Sequence, residues 1–195
     1  MSRVILLRHG QSLFNAGYSS EFDSDLSERG YYQIQDGALH VKELMNLDWI
    51  GEIDQIYTMF VSPFLRTLKT ALPIHRLFNV KTFVDTRIGE TPEDVNFFKG
   101  KVLPSRYIDF PTYNWKLSDF PIEMDKITME QYHANLEDFA KRLPDYSIVV
   151  SHMTTIKDLT ALLVGAKKTD FATKEVGNCS VTMVEDGELV FMGKR

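Results

Sequence analysis

The chain has 195 residues, with 22 Lys and Arg against 27 Asp and Glu, a formal charge of −5. An apolar share of 44% excludes a disordered chain, and the length suits one domain, residues 1–195, burying roughly 70% of its unfolded surface. The acidic excess argues against nucleic-acid binding, which needs a basic face, but a few local Arg side chains can still hold a small anion.

The single cysteine, Cys179, allows neither an internal disulfide nor a Cys-type zinc site. A reducing, cytoplasmic setting is expected. No run approaches the roughly 20 apolar residues of a membrane span. The N-terminal apolar run, Val4 to Leu7, is shorter than a signal-peptide core of about 7–15 residues, so the chain is expected to be used from its first residues.

Val4 to Leu7 reads as a strand buried on both faces. Ser27 opens a helix in which Tyr31, Ile34, Ala38, Val41, Leu44 and Met45 recur at helical steps. Gly30 takes the place of the Glu or Gln of a capping box. Ile56 to Val61 reads as a second strand. Leu65 to Phe78 reads as a helix with a kink or break at Pro73. Val80 to Val84 is a third strand, and Met129 to Leu143 a helix ending before Pro144. Ser147 to Ser151 is a buried strand, and Thr154 to Leu163 a helix with Gly165 past its end. Ser180–Val184 and Leu189–Met192 flank Asp186-Gly187, a hairpin signal.

Strands alternating with helices imply a three-layer α/β fold. Its central sheet is mostly parallel, with helices on both faces and a C-terminal hairpin. Residues 91–127 show no sustained period and hold four of the seven prolines. Their aromatics, including Phe97, Phe98, Tyr107, Phe110, Tyr113, Trp115 and Phe120, argue for a packed cap or lid.

Three polar clusters follow the best buried strands: Arg8-His9-Gly10-Gln11-Ser12 with Asn15; Ser62-Pro63 with Arg66-Thr67; and Ser151-His152 with Thr154 and Thr155. Ligands bind at the carboxyl ends of strands in open α/β sheets. If these strands are parallel neighbours, two Arg and two His converge on a site for a tetrahedral oxyanion. A neutral imidazole is nucleophilic, and Arg charge stabilises a phosphoryl transition state. A leaving alkoxide needs an acid, and Glu90 in Arg87-Ile88-Gly89-Glu90 is the best placed, with Asp85, Glu93 and Asp94 as nearby alternatives. Nothing in the sequence suggests a metal, so none is expected.

These elements resemble the histidine phosphatase superfamily, which includes cofactor-dependent phosphoglycerate mutases and many phosphatases. Arg8-His9-Gly10-Gln11-Ser12 with Asn15 is similar to its Arg-His-Gly-x-(Ser/Thr)-x-x-Asn signature. Leu26 to Gly30 with Gln33, Ser62-Pro63-Phe64-Leu65-Arg66-Thr67 with Ala71, Val150-Ser151-His152 and Asn178-Cys179-Ser180 are similar to its later landmarks. The resemblance implies a phosphoglycerate-mutase-like fold and a phosphohistidine on His9. It implies that Arg8, Arg66 and His152 hold the phosphate, with His152 charged in the complex, and that Asn15 adds a hydrogen bond. Glu90 would protonate the leaving oxygen and then activate water. Gln11, Ser12 and Met153 complete the expected phosphate-binding set.

Two departures are visible. Met153 stands where the family usually has Gly, which bears on rate and substrate fit. Glu90-Thr91-Pro92-Glu93 replaces the mutase branch's Glu-Arg-His-Tyr-Gly, and the chain is shorter than those mutases. Both favour a phosphatase acting on a small phosphorylated substrate, with no cofactor, nucleic acid or membrane partner. The alternatives are a mutase needing a bisphosphate primer and a catalytically weak phospho-ligand binding module.

His40, His75 and His133 lie in helical patterns and suit surface or packing positions. Ser62 suits a strand-end cap better than a nucleophile. Arg87 fits a structural ion pair as well as substrate binding. Lys99, Lys101 and Arg106 fit a solvated face slightly better than a second anion site. No heptad or clear exposed apolar patch assigns an oligomeric state.

Overall fold

The computed structural model describes residues 2–45, 57–97, 116–117 and 127–195. Most of the expected cap lies outside the described residues, and with it Lys99, Lys101, Arg106, Tyr107, Tyr113 and Trp115. So does Ile56, the expected start of the second strand.

The elements are β1 (Arg3–Arg8), α1 (Glu28–Met45), β2 (Thr58–Val61), α2 (Leu65–Phe78) and β3 (Lys81–Val84), then a 3-10 turn (Thr86–Ile88). Next come α3 (Pro92–Phe97), β4 (Lys116–Leu117), α4 (Met129–Lys141), β5 (Tyr146–Ser151), α5 (Met153–Leu163), β6 (Val181–Glu185) and β7 (Glu188–Lys194). A second 3-10 turn, Lys168–Phe171, follows α5.

One sheet carries the strands in the order β4-β3-β2-β5-β1-β6-β7. β4, β3, β2, β5 and β1 are parallel, β6 runs antiparallel beside β1, and β7 returns antiparallel to β6 at the edge. The mostly parallel sheet and terminal hairpin are those expected. Asp186 and Gly187 have φ of 49° and 79°, the positive values a two-residue hairpin turn demands.

Alternation along the strands builds two cores. Ile5, Leu7, Ile148 and Val150 pack with Ala38, Val41 and Leu44 of α1 and Leu68, Ala71 and Ile74 of α2. Val4, Leu6 and Val149 face the other way, onto Leu136 and Phe139 of α4 and Ile156 and Leu159 of α5. Each fully buried Leu, Ile or Phe contributes about 1.5–3 kcal/mol.

The sequence leaves a kink or a break open at Pro73, and of these the break is absent: α2 runs unbroken to Phe78. The proline removes one backbone donor, while Leu68, Ala71 and Ile74 on either side hold the helix in the core. The helix ends at Asn79, in the left-handed region at φ 47°, with its N–H on the His75 carbonyl. The stretch 91–127 is also not wholly irregular. Pro92–Phe97 forms α3, with Pro at the first position where its missing N–H costs nothing, and Lys116–Leu117 pairs with β3. Segments this short carry too few residues to display a period.

Candidate active site

Parallel pairing of β1, β5 and β2 brings their carboxyl ends side by side. Arg8 lies opposite Ser151, and Val61 opposite Val150. The loops after these strands therefore start next to one another. His9 N–H donates to the Ser151 carbonyl at 3.0 Å and Ser62 N–H to the Val150 carbonyl at 3.0 Å.

His9 and His152 are the centre of the cluster. Their ring centroids are 5.2 Å apart, tilted by 64°. Nδ1 of His9 lies 2.7 Å from the Gly10 carbonyl. A carbonyl only accepts, so Nδ1 carries the proton and Nε2 keeps its lone pair. Nε2 of His152 lies 2.9 Å from Ser62 Oγ, and its Nδ1 3.4 Å from an Arg66 Nη. The guanidinium only donates, so Nδ1 is the acceptor and Nε2–H donates to Ser62. Burial and the Arg66 charge push both histidines well below the usual imidazole value, and both are neutral at pH 7.

The guanidinium groups flank this pair. Arg66 donates to the Phe22 carbonyl at 3.1 Å and stacks 4.2 Å from the Phe64 ring, which meets His152 edge-on. Arg8 donates Nη1 to the Val176 carbonyl at 2.7 Å. Its Nε is buried with no hydrogen-bond partner among the described residues. An orphaned donor of this kind costs about 1–3 kcal/mol unless an acceptor reaches it.

Glu90 reaches the amino end of α5, directly after His152, where its Oε1 accepts from Thr154 N–H at 3.1 Å. Its charge is felt at both Arg8 and Arg66. The backbone beneath it is tightly held. Tyr132 donates to the Gly89 carbonyl at 2.9 Å, Thr155 to the same oxygen at 2.8 Å and Ser151 to the Ile88 carbonyl at 2.7 Å.

Asn15 takes an amide proton of Asn178 at 3.4 Å, and Asn178 also donates to the His9 carbonyl at 3.1 Å. Gln11 and Ser12 brace the loop: Gln11 Oε1 accepts from Ser27 at 2.9 Å, and Ser12 Oγ from Asn15 N–H at 3.1 Å. Met153, in the first turn of α5, is partly buried against the α4–α5 core. Gly30 explains the missing capping box. A Cβ there would collide with the Gln11 carbonyl oxygen and lie 3.1 Å from its carbon, so the helix start is bare to let the loop pack against it. Ser27 Oγ still accepts from Gly30 N–H at 3.1 Å.

Sequence reasoning missed the roles of two residues. Ser62 is the hydrogen-bond partner of His152, and only its place after β2 hinted at this. Asp94, buried at 4% exposure, accepts from Glu90 N–H at 2.6 Å and Thr91 N–H at 3.2 Å. Thr91 Oγ1 returns a contact to Asp94 N–H at 3.3 Å, so a Thr-x-x-Asp cap was the available signal. Burial pushes the Asp94 carboxyl up to about 6. Arg87 is a structural ion pair, with Nη2 2.6 Å from Asp85 and Nη1 3.0 Å from Asp138.

The profile of the histidine phosphatase superfamily (branch 1) matches residues 4–189. The chain belongs to that superfamily. It is accordingly an enzyme of the histidine phosphatase class. Among solved structures it is similar to the mycobacterial glucosyl-3-phosphoglycerate phosphatase complexed with VO3, at 21% identity and a TM-score of 0.65 over 100% of both chains. It is also similar to phosphoserine phosphatase from Entamoeba histolytica in complex with 3-phosphoglyceric acid. That match has 20% identity and a TM-score of 0.55, covering 94% of this chain and 90% of the other. At such identities the likeness is one of fold. No curated protein matches the chain.

Proposed function

We propose that this histidine phosphatase hydrolyses a small phosphate monoester through a phosphohistidine on His9, without a metal. The observation that carries the reading is the His9 ring. Its Nδ1 is pinned on the Gly10 carbonyl, so a neutral Nε2 is presented among Arg8, Arg66 and His152.

In the first step the Nε2 lone pair of His9 forms a bond to phosphorus and the bond to the leaving oxygen breaks. Protonated Glu90 gives its proton to that oxygen. In the second step Glu90 takes a proton from water, the water oxygen bonds phosphorus, and the P–N electrons return to His9. Arg8, through its orphaned Nε, and Arg66 stabilise the equatorial charge. A phosphate oxygen entering between Arg66 and His152 supplies the acceptor that His152 Nδ1–H needs, so His152 becomes charged in the complex. Asn15 adds a hydrogen bond, Gln11 and Ser12 shape the phosphate loop, and Met153 narrows its edge.

Among the described residues no group of three or more His, Cys, Asp or Glu could hold a metal ion. No helix among them is long and apolar enough to cross a membrane. The cytoplasmic setting in this proposal rests on the single cysteine.

The test is acid-quench trapping with a phosphate monoester, with and without chelator. An acid-labile phosphoryl group on His9 and release of inorganic phosphate are expected. Full turnover by His9→Ala, or a strict metal requirement, overturns the scheme. Transfer from 3-phosphoglycerate to 2-phosphoglycerate with a primer identifies a mutase instead.

A further inference from the structure

The terminal hairpin has a feature that its pairing does not require. β7 slips its register with β6, so that Val184 faces Leu189, Met183 faces Phe191 and Val181 faces Lys194. Gly193 stands in this irregular stretch at φ 70°, with its N–H on Thr182 Oγ1 at 3.2 Å. A Cβ at Gly193 would collide with the Glu175 carbonyl oxygen. The bulge turns the following residues toward the 175–178 segment.

Arg195 then lies across Gly177. A Cβ on Gly177 would collide with the Arg195 guanidinium, 2.9 Å from Cζ and 3.0 Å from Nε. Gly193 is thus required by backbone at the strand end, and the absence of a side chain on Gly177 leaves room for the Arg195 guanidinium to lie against it. The neighbours of Gly177 belong to the site already described. Val176 accepts from Arg8, and Asn178 donates to the His9 carbonyl. Sheet order agrees: Leu7 pairs with Val181, which pairs with Lys194, so β7 ends on the same rim as the histidines.

Arg195 is exposed and has no hydrogen bond or ion pair among the described residues. Its charge reaches Arg8 and opposes it. The Glu90 carboxylate already acts on Arg8 from its own position, whereas the Arg195 guanidinium has no anion paired with it among the described residues and is free to take one from a ligand.

We propose that Arg195 forms a second anion subsite beside the phosphate-binding residues, selecting small phosphate monoesters that carry a further carboxylate or phosphate. The proposal rests on the phosphatase reading above. Phosphate binds at Arg8, Arg66 and His152, and the second anionic group of the same molecule reaches Arg195.

The test compares phosphoglycolate with ethyl phosphate, which differ by one carboxylate, using the full chain and its Arg195→Gln and Arg195→Lys variants. The wild-type chain is expected to favour phosphoglycolate at least tenfold in kcat/KM. Arg195→Gln should lose at least tenfold more on phosphoglycolate than on ethyl phosphate, through KM, and Arg195→Lys should recover part of it. No preference in the wild type, or equal losses on both substrates in Arg195→Gln, overturns the subsite and leaves Arg195 a structural latch. Failure of the wild-type chain to release phosphate from either ester defeats the phosphatase reading itself, separately from anything Arg195 does.

Discussion

Neither His9 nor His152 hydrogen-bonds a carboxylate among the described residues, and this sets how the site responds to pH. Burial and Arg66 hold both pKa values well below 6.5. In the proposed scheme the His9 nucleophile must be neutral, so the acidic limb of kcat/KM that belongs to it should fall below pH 6.5. With p-nitrophenyl phosphate, whose leaving group needs no acid, a His9 limb at or above 6.5 would contradict the burial argument. Stability follows the same sign. Below 6.5 unfolded histidines bind protons that the folded ones refuse, so stability is lost as pH falls. Asp94 acts in the opposite direction. Its carboxyl is pushed up to about 6 from an ordinary 3.8, so the folded chain keeps a proton that the unfolded chain has released. Stability from this group therefore declines as pH rises from about 4 to 6, by on the order of 3 kcal/mol at most. Asp94→Asn removes that decline. Its melting temperature relative to wild type should rise between pH 4 and pH 7.5, and a constant difference would show that Asp94 does not titrate there. The convergence of Arg8, His9, Arg66 and His152 was legible because each sits in a short motif at or just after a strand end. Ser62 and Asp94 were not, because their partners are a histidine 90 positions away and a backbone amide.

Element by element, α1 shows the same residue type with opposite roles. Gly to Ala inside a helix ordinarily stabilises by about 1 kcal/mol. At Gly37 the added Cβ would lie 3.5 Å from Cys179 Cβ and 3.6 Å from Leu7 Cδ1, ordinary contact distances. Gly37→Ala should therefore raise stability by up to about 1 kcal/mol in urea unfolding. At Gly30 the Cβ meets the Gln11 backbone, which cannot swing aside without moving the loop that carries His9. Gly30→Ala should destabilise by about 2 kcal/mol or more and lower kcat, and a neutral result would show that the loop yields. Periodicity made α1, α2, α4 and α5 readable, since each buries one stripe against the sheet. β4 and α3 were unreadable for the converse reason. Two paired residues and a six-residue helix offer no repeat, and their position comes from pairing with β3 and from the Thr91–Asp94 cap.

At the scale of the whole molecule, the two cores share one sheet, and this predicts how the protein melts. β1 and β5 send alternate side chains to opposite faces: Ile5, Leu7, Ile148 and Val150 to one core, Val4, Leu6 and Val149 to the other. Neither core can lose its helices without exposing strands that the other core needs. Met59 in the first core and Leu136 in the second are both fully buried. Truncating either to Ala should cost about 2–5 kcal/mol. For a chain of this length that is a fall of roughly 4–20 °C in Tm, at about 2–4 °C per kcal/mol. The expected outcome for Met59→Ala and Leu136→Ala is one transition moved downward in each, measured by calorimetry and by circular dichroism together. Separation into two transitions by either variant would show that the faces melt independently. A single displaced transition instead makes the sheet the unit that places His9, Arg66 and His152 together, and activity should then vanish at the temperature where the sheet does.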